Sequence, residues 1–123
     1  MRALAFVLTV GLLEGCGQTS SSSTDTPCTE AGATASNANQ VLLEYYTFIP
    51  RCFRVVTNTT VTFLNLDDTP HTVTTDIGQV ETFDSGELVP GGVFTHTFTS
   101  VGDIGLHCNM FPGMTATAYV RAP

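Results

Sequence analysis

From Val41 to its end the chain has no run with the 3.6-residue spacing of apolar side chains that a packed helix needs. In its place are short runs rich in Val, Thr, Phe and Tyr, cut by Gly, Pro, Asn and Asp. The runs are Gln40–Tyr46, Cys52–Thr57, Thr60–Asn65, His71–Thr75, Glu81–Asp84, Val93–Thr99, Asp103–Cys108 and Thr115–Arg121. Between them lie turn formers such as Asn58-Thr59, Asp67-Asp68-Thr69-Pro70, Pro90-Gly91-Gly92, Val101-Gly102-Asp103 and Phe111-Pro112-Gly113. Alternation assigns faces: Val61 and Phe63 share one, and Phe94, His96 and Phe98 share another. About eight short strands with no room for a crossover helix predict an all-β sandwich or small barrel with mostly antiparallel sheets.

Such a chain of 123 residues allows one domain. Its first part reads differently. Arg2 precedes the apolar run Ala3 to Leu13, the layout of an export signal and too short to span a bilayer comfortably, which takes ~20 residues. Leu13-Glu14-Gly15-Cys16 resembles a bacterial lipobox, although Glu14 is unusual in it. The resemblance implies lipidation of Cys16 and attachment to a membrane. With Gln18 following, it implies the bacterial periplasm or outer membrane as the location. The run Thr19 to Pro27 is nearly all Ser and Thr and cannot bury itself, so it reads as a flexible tether. The expected division is 1–15 signal, 16–38 tether and 39–123 folded unit.

Acidic residues number 11 against 4 basic ones, a net charge of −7. Losing Arg2 together with Glu14 leaves that balance unchanged. There is no basic stripe for a nucleic acid. The acidity suits solubility and steering toward a basic partner. Nothing suggests an enzyme: no Ser-His-Asp order, no Gly-rich phosphate loop and no paired acids at useful spacing, with Asp67-Asp68 reading as turn formers.

The chemistry-bearing residues are His71, His96, His107, Cys108 and Met114. Around them runs an ordered series: Val61 to Asn65, Pro70-His71-Thr72-Val73, Asp84-Ser85-Gly86 with Leu88, Pro90-Gly91, Phe98, Gly102, Cys108, Met114, and a last strand Thr115 to Val120. From about Glu44 to Arg121 this series resembles the single-domain cupredoxins, the plastocyanins and pseudoazurins among them. The resemblance implies a Greek-key β-sandwich, copper as cofactor and one-electron transfer. It makes His71 the first imidazole ligand, Cys108 the thiolate and Met114 the axial thioether. A soft thiolate, imidazoles and a weak thioether serve both copper oxidation states, so an electron can come and go with little rearrangement.

One position departs from the family. The second imidazole belongs at Cys+3, where this chain has Phe111, and Phe has no lone pair to give. No His follows Cys108. An external ligand could fill the gap, His96 or His107 could substitute, or copper could be absent. His107 neighbours Cys108, and adjacent strand residues face opposite ways, which makes it a poor substitute. His96 reads as a core or edge histidine and Met110 as a loop-packing residue.

Four cysteines then need four explanations. With Cys16 lipidated and Cys108 on metal, Cys28 and Cys52 remain, and an oxidising compartment makes their disulfide the default. Closing a loop of ~25 residues, the bridge stabilises by roughly 3 kcal/mol in the chain-entropy model. Three functions stay open: an electron carrier serving a redox partner, a Cu(I)-holding protein with a copper donor or acceptor, and a metal-free binding module on the same frame. In each the protein is expected to be a monomer.

Overall fold

A computed structural model describes residues 27–35 and 39–123. The expected signal and Cys16 lie outside them. The strands are β1 (Thr34–Ala35), β2 (Gln40–Glu44), β3 (Thr47–Ile49), β4 (Cys52–Val56), β5 (Thr59–Asn65), β6 (Thr74–Thr75), β7 (Val93–Phe98), β8 (Gly102–His107) and β9 (Thr115–Arg121). They form a five-stranded sheet, in the order β1-β4-β9-β8-β6, and a four-stranded sheet, β3-β2-β5-β7. The described residues contain no helix. The all-β sandwich expected from the alternation is therefore present.

Inward positions follow the period of two. Val61, Phe63 and Asn65 are buried along β5, and Ile104 and Leu106 along β8. Phe48, Phe53, Phe63 and Phe98 are fully buried between the sheets, each contributing about 1.5–3 kcal/mol by leaving water. Phe53 meets both Phe63 and Phe98 edge-on at 6.4 Å.

The sheets are mixed, with antiparallel pairings in the majority as expected. Four pairings are antiparallel (β2–β3, β5–β7, β6–β8, β8–β9) and three are parallel (β1–β4, β2–β5, β4–β9). Each parallel pair joins strands that are not consecutive in the chain, so no hairpin forces their directions to alternate.

Three local readings change. The run Gln40–Tyr46 stops at Glu44, because Tyr45 and Tyr46 take φ of 58° and 57° and turn the chain into β3. Two left-handed residues in a row suit a two-residue hairpin, normally supplied by Asn or Gly. Here the exposed N–H groups of both tyrosines donate to Asp67 Oδ1 and Oδ2, at 2.7 and 2.9 Å, which offsets the backbone cost. Glu81–Asp84 is not a strand; it makes one isolated bridge, Asp84 with Thr74, and is held mainly by side chains. Within 16–38, residues Thr34–Ala35 join the sheet beside β4, Ala33 is buried, and Arg54 Nη2 donates to the Ala33 carbonyl at 3.3 Å. Cys28 and Cys52 are disulfide-bonded, with Cα atoms 5.4 Å apart. Glu30 pairs with Arg121. These links order a polar segment that has too little apolar surface to order itself.

Candidate metal centre

At one end of the sandwich the loop between β8 and β9 carries Cys108 to Met114. The Cys108 N–H donates to the Met114 carbonyl at 3.1 Å, and the Met114 N–H to the Phe111 carbonyl at 2.8 Å. Six registered pairs of β8 and β9, from Gly102↔Val120 to His107↔Thr115, brace the loop from behind. Cys108 and Met114 are both buried in the main apolar cluster. Met110 is exposed.

His71 arrives from the other side. Its backbone exchanges two hydrogen bonds with Leu88, at 3.1 and 2.7 Å. Leu88 is also tied to β5, because the buried Asn65 side chain donates to the Leu88 carbonyl at 2.9 Å and to the Thr69 carbonyl at 2.9 Å. The His71 ring is fully buried. Its Nε2 lies 2.7 Å from Asp67 Oδ2. Burial works against the Asp67 charge, but the Tyr46 N–H, the His71 ring and the Tyr45 N–H outweigh it and hold the carboxyl below its ordinary range. An ionised carboxylate fixes the tautomer: Nε2–H donates and the Nδ1 lone pair is free. Nδ1 points at Cys108 Sγ, 3.7 Å away. The Thr72 N–H also points at that sulfur, at 3.3 Å. Cys108 is the free cysteine among the described residues.

Phe111 caps this arrangement. Its ring meets the His71 ring edge-on at 5.3 Å and Tyr46 at 5.0 Å, while Tyr46 meets His71 at 5.4 Å. Phe111 and Tyr46 thus form a triangle of mutually edge-on rings with the imidazole. The Tyr46 hydroxyl is anchored on Thr69 Oγ1 at 3.0 Å. These walls keep water from His71 and leave its inner nitrogen to the sulfur.

The other two histidines are engaged elsewhere. His96 lies on β7, at the sheet edge, with Nε2 2.5 Å from Glu81 and its ring stacked on Phe83 at 3.9 Å. His107 turns away from Cys108, with Nδ1 2.6 Å from Asp76 Oδ1 and Nε2 3.0 Å from Asn109 Oδ1. The structure thus brings His71 and Cys108 together, buries Met114 at the loop's end, and holds His96 and His107 on separate carboxylates.

Asp67 is the participant that the sequence reading took for a turn former alone. Its offset of four residues from His71 was the available signal, but the role depends on the Tyr45-Tyr46 turn 21 and 22 residues earlier in the chain. The donor set fits copper on this structure's own terms: a buried sulfur receiving an N–H, an imidazole nitrogen oriented toward it by a carboxylate, and a thioether residue buried in the same cluster.

Searches against protein-family models and curated proteins give no match. Solved structures do match. The copper-containing nitrite reductase from Thermus scotoductus SA-01 is 26% identical with a TM-score of 0.64, over 68% of this chain and 22% of that one. The chain therefore spans about a fifth of that protein. A purple cupredoxin from Nitrosopumilus maritimus is 24% identical with a TM-score of 0.60, over 66% of this chain and 97% of that one. An amicyanin variant in its reduced state is 22% identical with a TM-score of 0.63, covering 78% and 92%. The protein has the cupredoxin fold.

Proposed function

We propose that this is an exported copper protein that carries single electrons, with His71 Nδ1, Cys108 Sγ and the Met114 thioether as its ligands. The observation that carries the reading is the 3.7 Å approach of His71 Nδ1 to Cys108 Sγ, with the imidazole held on its far side by Asp67. The copper named in the nitrite reductase neighbour, and the Cu(I) forms of amicyanin, support copper as the cofactor. Bound there, copper supplies a one-electron couple. The chain's own residues do the rest. Asp67 orients His71 and raises its donor strength. The Thr72 N–H stabilises negative charge on Cys108 Sγ. Phe111 and Tyr46 exclude water from His71. The braced loop and the Asn65–Leu88 tie keep the donors still when the charge changes. The function is that of an electron carrier, with a redox protein as partner, rather than that of an enzyme. Export and a lipid anchor on Cys16 rest on the residues from Met1 to Gln18.

A second reading has its own observation. Phe111 occupies the place of an equatorial imidazole, and three soft or borderline donors in a buried site favour Cu(I). The protein then holds and delivers Cu(I). Titrating purified protein with Cu(II), with its Cys28–Cys52 bridge intact, separates the cases. One bound copper with an intense thiolate-to-copper band supports electron transfer. One bound copper without colour supports the Cu(I) carrier. No retained copper leaves the fold serving a metal-free role and overturns both.

A further inference from the structure

His71 faces the Cys108 sulfur with Nδ1, and the rest of its ring meets three further groups. Nε2–H donates to Asp67 Oδ2 at 2.7 Å, and the ring lies edge-on to Phe111 at 5.3 Å and to Tyr46 at 5.4 Å. All three contacts lead to Tyr46. Asp67 Oδ2 also accepts the Tyr46 N–H at 2.9 Å, so one carboxylate oxygen joins the imidazole to the Tyr46 backbone. The Phe111 ring meets the Tyr46 ring at 5.0 Å. Of the three groups, the Asp67 side chain is 10% exposed and Phe111 is half-buried, whereas Tyr46 is 50% exposed. Tyr46 is therefore the outermost group in contact with His71. Its place is fixed at two ends, by Asp67 on the backbone and by Thr69 Oγ1 on the hydroxyl.

We infer that Tyr46 is the port through which an electron enters and leaves the centre, coupled to His71 by ring contact and by the shared Asp67 oxygen. The inference rests on the copper reading. Electronic coupling falls steeply across every open gap, so the packed rings and the two hydrogen bonds on Asp67 Oδ2 set the path. The electron crosses Tyr46 without residing on it: no bond forms or breaks, no proton moves and the phenol is not oxidised. The face offered to a redox partner is aromatic, with the more exposed Tyr45 beside Tyr46 at the tip of the β2–β3 turn. The rival exit is Met110, exposed on the Cys108 loop two residues beyond the sulfur.

Electron self-exchange between Cu(I) and Cu(II) copies of the full chain tests this, read from nuclear magnetic resonance line widths. One copy loses the electron that the other gains, so there is no driving force for a shifted potential to change. Raised ionic strength screens the repulsion between two copies of net charge −7. Tyr46→Leu keeps an apolar cover on His71 and is expected to slow exchange several-fold, with copper retained and the visible spectrum unchanged. Tyr46→Phe keeps the ring and is expected to keep the rate, as is Met110→Ala at the rival exit. A second readout needs no turnover. In the Cu(II) form of the parent, the Tyr46 amide nitrogen is expected to show a contact shift from spin passed through His71 and Asp67, which a tyrosine serving only as cover would lack. Equal exchange in Tyr46→Leu and the parent overturns the inference alone. So does a rate that falls in Met110→Ala and not in Tyr46→Leu, or a Tyr46 amide without a contact shift. Failure of the parent to retain copper overturns the metal reading beneath it.

Discussion

His71 and His96 present the same pair of groups in two settings. Each puts Nε2 against a carboxylate oxygen, Asp67 at 2.7 Å and Glu81 at 2.5 Å. Each carboxylate is itself held by two backbone N–H groups: those of Tyr45 and Tyr46 on Asp67, and those of Thr99 and Ser100 on Glu81. The difference lies on the other side of the ring. His71 faces a thiol sulfur and sits fully buried. His96 lies flat on Phe83 at the sheet edge, with Phe98 edge-on at 4.8 Å. One pair therefore aims a lone pair, while the other fastens the irregular 81–84 segment to β7. A carboxylate–imidazole contact alone does not mark a ligand; what the second nitrogen faces decides its use.

The largest test of that distinction is at the sulfur. Cys108→Ser should abolish copper retention, read as metal per chain after desalting, while His96→Gln should keep the full equivalent. Loss of copper in His96→Gln would dissolve the contrast.

Next come the carboxylates. Asp67→Asn should lower copper affinity by about 10–100-fold, as expected when the group orienting a ligand imidazole is weakened. Its reduction potential should rise, because a negative charge that favours the oxidised metal has gone. Competition titration and voltammetry check the two effects. Glu81→Ala should leave both unchanged. Instead it should destabilise by about 1–3 kcal/mol, since it leaves the Thr99 and Ser100 N–H groups without their acceptor. For a domain of this size that is a fall in Tm of about 4–8 °C per kcal/mol by thermal unfolding.

Phe111→His sharpens the comparison from the opposite direction by offering a second imidazole at the vacant position. It should strengthen the thiolate-to-copper band; no gain in colour would mean that the loop does not present position 111 to the metal.

The smallest expected effect is in acid. Burial works against the Glu81 charge, but His96 and the Thr99 and Ser100 N–H groups outweigh it, and the carboxyl stays below its ordinary value of 4.5. A depressed carboxyl contributes stability that is fully present above its unfolded value and is lost as pH falls through the folded one. Denaturant unfolding of the metal-free protein should therefore weaken as pH drops below ~4.5, and Glu81→Gln should flatten that slope. An unchanged slope would mean that Glu81 is no fastener.

Much of this was legible in residue order. The alternation of β5 and β7 gave the faces correctly, and Thr115–Arg121 appears with the boundaries read from the sequence. His71, Cys108, Met114 and the odd Phe111 stood out because few side chains offer soft donors. What stayed hidden depends on distant backbone. Asp67 looked like a turn former because the two N–H groups that make it an acceptor belong to a turn whose residues, both Tyr, carry no turn signature. Glu81–Asp84 looked like a strand because its alternation is real, yet its backbone makes a single isolated bridge, Thr74–Asp84, while Glu81 and Phe83 reach β7 through the His96 side chain. The parallel pairings were illegible because strand direction across non-consecutive neighbours leaves no trace in local pattern.

Those parallel pairings also order events in time. Cys52 lies beside Thr117, 65 positions away, and β4, besides the two-residue β1, pairs with the last strand of the chain. Long-range closure of this kind is slow. Until it happens Cys28, Cys52 and Cys108 are all open to oxidant, and only loop length, 24 residues against 56 and 80, biases the choice among them. Once β9 has docked, Cys52 is held against Cys28 and Cys108 is sealed in the interior. Oxidation early in refolding should therefore give a mixture of cross-linked isomers, and delayed oxidation a single product. The reactive sulfur owes its survival to the strand that follows it.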